Sequence, residues 1–86
     1  MTHIFAKLIK NQRTIKSFTY KNVKPYESSD FYFHLTTICR ELEIETPVVI
    51  NYHRESYESF NSVKFFSGDF IDKVNFDFLY LENVEE

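Results

Sequence analysis

Glycine, proline and cysteine are scarce in this chain of 86 residues. Phosphate-binding loops and dinucleotide fingerprints need several glycines at fixed spacing, and the only glycine is Gly68, so both motifs are excluded. A lone cysteine, Cys39, excludes an internal disulfide framework and a cysteine-based zinc site. No stretch approaches the ~18–20 apolar residues of a membrane span, so no membrane association is expected.

Aromatic residues are abundant instead: ten Phe and six Tyr, with no Trp. Each buried ring removes roughly 150–250 Å² from water, so a few rings can build the core of a short chain. A disordered chain would be poor in aromatics. The length and composition predict one domain over residues 1–86. The first residues carry no basic segment leading into an apolar run, so no signal peptide is predicted. We therefore expect the protein to be located in the reducing cytoplasm.

Charge is divided unevenly along the chain, although the net charge is only −3. Residues 1–26 contain six basic residues and no acid, whereas residues 27–86 contain all thirteen acids and four basic residues. A split of this size suggests two surfaces with different partners, or one surface closing on the other.

The basic segment predicts a β-hairpin. Residues 3–10 and 14–23 are rich in β-branched and aromatic side chains, and Asn11-Gln12 between them suits a tight turn. A two-residue loop predicts the facing pairs Ile4–Thr19, Ala6–Ser17, Leu8–Ile15 and Lys7–Lys16.

Two helices follow in the predicted order. The first spans residues 29–43, where Phe31, Leu35, Ile38 and Leu42 form one apolar stripe that Pro47 ends. The second spans residues 47–60, with Thr46 as N-cap. Its predicted stripe is Ile50, His53, Tyr57 and Phe60. The run 48–50 alone would favour a strand.

Two further strands are predicted at residues 63–66 and 76–81, with a turn at 67–69 and a helical turn or irregular loop at 70–74. In the last strand, Phe76, Phe78 and Tyr80 point to one side. The element order is β-β-α-α-β-β. This order predicts an α+β fold, a small four-stranded antiparallel or mixed sheet with both helices on one face.

Metal binding and catalysis have little support in the sequence. His34 and Cys39 are five residues apart on one predicted helix and point in different directions, and no paired Cys/His spacing exists. Nothing brings Cys39 to a histidine for nucleophilic catalysis. We therefore expect no metal, no cofactor and no enzymatic activity.

The acidic part of the chain favours a non-catalytic protein-interaction module that binds a partner protein. The candidate partner-binding residues are Glu41, Glu45, Glu55 and Glu58. Small, acidic, aromatic-rich proteins of phages and mobile elements often act as inhibitors in this way, by analogy of composition. The simpler interpretation is ordinary solubilising charge.

The alternative is a nucleic-acid-binding protein that uses the basic hairpin. Its candidate residues are Lys7, Lys10, Arg13 and Lys16, interleaved with Phe5, Phe18 and Tyr20. Cations for phosphates and rings for base stacking are what a strand-based single-strand binder uses. The simpler interpretation places the rings under a helix, with the lysines protecting a sheet edge.

A dispersed set of short motifs resembles small uncharacterised proteins of Firmicutes. The motifs are Thr46-Pro47-Val48-Val49-Ile50, His53, Phe60-Asn61, Asp69-Phe70, Phe76-Asp77 and Leu81-Glu82-Asn83-Val84. The resemblance spans most of the chain and implies no particular activity or site.

Overall fold

The computed structural model describes residues 1–84, which form one antiparallel sheet with two helices packed against it. The main elements are β1 (Thr2–Lys10), β2 (Arg13–Asn22), α1 (Phe31–Glu41), α2 (Asn51–Phe60), β3 (Ser62–Phe66) and β4 (Phe78–Asn83). The strands lie in the order β2-β1-β4-β3, so β1 and β4 are central. The predicted α+β class and element order are confirmed, and every strand pair is antiparallel.

The hairpin turn is the predicted Asn11-Gln12, and both residues have positive φ, 52° and 66°. The predicted register is wrong by one residue beyond the turn. Ile4 pairs with Tyr20, and the register shifts between Leu8 and Ile9. The extra residue of this bulge is on β2, so every later β2 side chain changes face. Tyr20 therefore reaches the core.

One face of the sheet and the inner sides of both helices form a single core. Its sheet residues alternate along the strands: Ile4, Ala6, Leu8, Tyr20, Val63, Phe65, Leu79 and Leu81. The predicted stripe of α1 is confirmed, because Phe31, Leu35, Ile38 and Leu42 are each 2% exposed or less. Both helices lie on the same side of the sheet, which leaves the opposite side uncovered.

The first helix is shorter than predicted, and it ends several residues before Pro47, so the proline is not what terminates it. It begins at Phe31, after a 3-10 turn at Ser28–Asp30. At its other end Glu43 takes a left-handed φ of 61°, and the next amide, of Ile44, donates to the carbonyl of Cys39. This αL residue stops the helix.

The second helix begins at Asn51, four residues later than predicted. The Val48 amide donates to the carbonyl oxygen of Asp69 at 2.8 Å, so residues before Ile50 bond to another part of the chain. Residues 44–50 form neither helix nor strand. The predicted stripe is only half right: His53 and Tyr57 are buried, whereas Ile50 and Phe60 are 55% and 74% exposed.

The last two strands are close to their predicted positions. Leu79 and Leu81 of β4 face the core, and Phe78 and Tyr80 point the other way, as the alternation predicts. β4 begins two residues late, because Phe76 belongs to the preceding loop. There its ring packs edge-on against Phe70, with centroids 5.2 Å apart.

Candidate binding surfaces

The side of the sheet away from the helices is termed the open face. It consists of His3, Phe5, Lys7 and Ile9 from β1, Ser17, Thr19 and Lys21 from β2, Ser62, Lys64 and Phe66 from β3, and Phe78, Tyr80 and Glu82 from β4. Its aromatic residues on the central strands are half-buried by their neighbours and reach solvent. Three lysines stand against one glutamate, so this face is basic in a chain of net charge −3.

Tyr80 is the centre of the open face. Its strand partners are Lys7 on one side and Lys64 on the other, so two lysines flank it in one row. The Lys7 ammonium lies 5.5 Å from the Tyr80 ring centroid and 5.4 Å from that of Phe5. The Lys64 ammonium lies 4.9 Å from the ring of Phe78. Each distance is within cation–π range.

A groove of about 400 Å³ runs over this row, between the hairpin turn and Glu82. The Tyr80 hydroxyl donates to Glu82 at 3.2 Å. Burial, together with the Glu82 carboxylate, raises the pKa of Tyr80, so this phenol stays neutral. At the other end the Asp77 carboxylate accepts the Asn11 amide at 2.9 Å, which fixes the hairpin turn against the loop before β4.

A second surface, termed the aromatic edge, lies where α2 meets β3. Its rings are Tyr52, Phe60 and Phe66, which are 66%, 74% and 53% exposed. They line a shared groove of about 340 Å³. Glu55 is three residues after Tyr52 and therefore neighbours it on α2, but it is five residues before Phe60 and does not line the groove. Side chains this large are seldom left in solvent together without a partner.

The backbone of edge strand β3 is protected at both ends. The Ser56 hydroxyl donates to the carbonyl of Ser62 at 2.9 Å, and the Phe66 amide donates to the Asp69 carboxylate at 2.9 Å. Both groups point away from β4. Side chains therefore satisfy them where an added strand would otherwise pair. The aromatic edge thus presents rings rather than a free strand.

The predicted acidic residues lie on two separate segments. Glu41 ends α1, and Glu45 follows in the loop, where its carboxylate accepts the Asp72 amide at 3.0 Å. Glu55 and Glu58 are on α2. Glu58 accepts the Tyr26 hydroxyl at 3.0 Å, and burial together with this bond raises the pKa of Tyr26. Glu45 and Glu58 therefore accept hydrogen bonds within the fold, and Glu41, Glu55 and Glu58 are exposed.

The predicted basic residues are also separated. Lys7 is on the open face, but the bulge turns Lys16 to the helix side, where its ammonium donates to the Leu42 carbonyl at 3.0 Å. Lys10 and Arg13 pair across the end of the hairpin. The open face instead gathers Lys7 with Lys64, which the sequence did not group with the hairpin.

Cys39 is not a reactive nucleophile in this fold. Burial raises the pKa of the Cys39 thiol to about 12, so it is protonated at neutral pH. His53 accepts the Ile50 amide at Nδ1 and contacts the Asp69 carboxylate through Nε2 at 3.3 Å. It thereby joins the start of α2 to Asp69. Within residues 1–84 no three His, Cys, Asp or Glu side chains are grouped to hold a metal ion.

The exposed rings of α2 are the part of the site that sequence reasoning missed. Spacing assigned Phe60 to the core stripe, because it follows His53 by seven positions and Tyr57 by three. It is the last residue of α2 and is 74% exposed, so the stripe leaves the core at the end of the helix. Tyr52 lies outside the predicted stripe, and that was the available signal for its exposure.

Comparisons of the chain with family models, with curated proteins and with solved structures find no match. None of the helices in residues 1–84 has the length and apolar character needed to span a bilayer. Function is therefore inferred from the two surfaces.

Proposed function

We propose that this protein is a non-catalytic protein-interaction module, of the inhibitor type found in phages and mobile elements, that acts in the cytoplasm without a cofactor. The observation that carries the proposal is the aromatic edge, with three large rings more than half exposed around one groove. Tyrosine and phenylalanine are enriched at the centres of protein interfaces, where they bury much area at low entropic cost.

The partner surface that fits is an apolar patch bordered by basic residues. Residues 27–61, which include both helices, carry seven acids and two arginines. Arg54 is engaged internally, since its guanidinium donates to the Ser28 carbonyl and lies 5.9 Å from the Phe31 ring. Glu55 stands one helical turn from Tyr52. The acidic helices would steer a basic partner, and the rings would supply most of the affinity.

Glu55 is the predicted acidic residue best placed in this interface, and Glu41 adds to the surrounding field. Glu45 and Glu58 hold loops through their hydrogen bonds, so we assign them a supporting role. The buried, protonated Cys39 and the doubly engaged His53 support a function that does not depend on covalent chemistry.

Affinity capture with matched variants tests this proposal. The tagged protein is used to retain proteins from nuclease-treated extract of its source cells, in parallel with Tyr52→Ser/Phe60→Ser and Glu55→Lys. The matched control is Val23→Ser/Ile71→Ser, which removes apolar side chains that are 88% and 82% exposed elsewhere.

A partner should be retained by the wild type and the control, lost with the ring variant and weakened with Glu55→Lys. Loss of hot-spot rings typically costs about 2 kcal/mol or more each. The same order of affinities should hold for the purified partner in calorimetry. Retention that survives loss of both rings, or no protein retained by the wild type, contradicts the proposal.

A further inference from the structure

We propose that the open face binds single-stranded nucleic acid, as a second site that adjoins the aromatic edge and shares Lys64, Phe66 and Tyr80 with it. The rings available for bases are Phe5, Phe78 and Tyr80, on the two central strands. The cations available for phosphates are Lys7 and Lys64, which flank Tyr80. A single-strand site needs aromatic rings for the bases and cations for the phosphates on one accessible surface, and the open face has both.

The spacing of the rings suits an unstacked strand. Tyr80 and Phe78 are two residues apart on β4, and strands rise by about 3.3 Å per residue, so their side chains stand in successive rows. Phe5 belongs to the next row on the other side, opposite Glu82. Three rows of the sheet therefore each present a ring, and neighbouring bases can each meet one. In a duplex the faces of the bases are covered by neighbouring bases, so a duplex cannot stack on these rings.

Charge argues for an anionic ligand at this face. The strand residues of the open face include three lysines against Glu82, whose carboxylate accepts the Tyr80 hydroxyl at 3.2 Å. The second carboxylate that lines the groove, Asp77, accepts the Asn11 amide at 2.9 Å. The ammonium groups of Lys7 and Lys64 now lie over rings. A base that stacks on a ring displaces the ammonium, which is then free to meet the adjacent phosphate. Base stacking is the stronger of the two contacts at an exposed site.

The groove of about 400 Å³ supports the same site. It is lined by Lys7, Lys64, Phe78 and Tyr80, so it follows the row that is centred on Tyr80, and Asp77 and Glu82 also line it. The proposal does not depend on the protein partner, because Tyr52, Phe60 and Glu55 are on α2 and do not line this groove.

Fluorescence anisotropy of labelled mixed-sequence decanucleotides, DNA and RNA, tests the site. Competitors are a duplex hairpin of the same sequence and polyglutamate, an acidic chain without bases. The variants are Tyr80→Leu, which keeps apolar area but removes the ring, and Lys64→Ser, at an exposed position. The matched controls are Lys24→Ser, which removes the same charge elsewhere, and Tyr52→Ser on the aromatic edge. Thermal melts establish that each variant folds.

Single strands should bind better than the duplex and polyglutamate, and affinity should fall about sevenfold between 50 and 200 mM salt if two phosphates are contacted. Tyr80→Leu should weaken binding about tenfold and Lys64→Ser severalfold, with both controls unchanged. For the wild type, amide shifts on the single strand should centre on β1 and β4.

Absence of binding, equal affinity for the duplex, or an unchanged affinity in folded Tyr80→Leu overturns the site. Tighter binding of polyglutamate also overturns it, in favour of an acidic protein segment on the open face. None of these outcomes affects the capture experiment on the aromatic edge, and loss of capture with Tyr52→Ser/Phe60→Ser leaves this site standing.

Discussion

His34 is a buried side chain with one satisfied and one unsatisfied ring nitrogen. Its Nδ1 is 2.7 Å from the Tyr20 hydroxyl, which also accepts the Asn22 side-chain amide at 3.2 Å. The hydrogen bond with Tyr20 engages Nδ1 in either tautomer of the neutral imidazole. Within residues 1–84, Nε2 has no hydrogen-bond partner. Such a buried polar atom costs stability and makes a second proton on the ring still less favourable.

This arrangement predicts that His34 weakens the fold in acid. Burial lowers the pKa of His34 below its ordinary 6.5, and the Asp30 carboxylate only partly opposes this. The unfolded chain then binds the proton more readily, so the stabilising contribution is complete above pH 6.5 and is lost as pH falls from there.

Urea unfolding at pH 7.5 and 5.5 measures the effect. We expect the wild type to lose free energy of unfolding over this interval, and His34→Leu to lose less of it, whatever its own stability at pH 7.5. His3→Gln serves as the control for a histidine outside the core. An identical pH dependence in wild type and His34→Leu would show that another group is responsible.

At the scale of elements, glycine substitutions at and beside the left-handed residue that ends α1 should change the free energy of unfolding in opposite directions. Glu43 has φ 61°, a conformation that costs a residue with a side chain about 1–2 kcal/mol and glycine little. Glu43→Gly should therefore stabilise the protein by about 1 kcal/mol. Glu41→Gly, at the last helical residue, should destabilise it by up to about 0.5–1 kcal/mol, because its backbone has no left-handed φ to relieve. Denaturant melts that show the same sign for both substitutions would refute this account of the helix end.

The elements that could be predicted are those whose signal is local and repeated. Three turns of apolar spacing in α1 placed its buried stripe correctly, and the alternation of β4 placed Phe78 and Tyr80 on the outer face. The start of α2 could not be predicted, because Thr46-Pro47 is a local signal that the distant bond between Val48 and Asp69 overrides.

The candidate sites depended on features that the sequence does not reveal. One bulged residue on β2 separates Lys16 from Lys7 and buries Tyr20, and no local pattern marks it. The row of Lys7, Tyr80 and Lys64 joins β1, near the start of the chain, to β4 and β3, near its end. The charges were visible in the sequence, but their grouping is a property of the sheet order.

At the scale of the molecule, the uneven charge along the chain corresponds to different parts of the fold. The basic segment forms the hairpin, half of the sheet, and contributes Lys7 and Lys21 to the open face. The acidic excess belongs mainly to the helices and their connections on the opposite side. A protein with two such sides can hold two different partners, a polyanion on the sheet and a basic protein surface along the helices and the aromatic edge.

Photo-crosslinking in the source cells tests the protein-interaction role most directly. A benzophenone amino acid replaces Tyr52 or Phe60 in the full chain, and Val23, which is 88% exposed, in the control. Because the probe captures what lies against that side chain, positions 52 and 60 should yield the same discrete protein adduct and position 23 should yield none. No adduct from either α2 position, or an equal adduct from position 23, would contradict the aromatic edge as the docking surface.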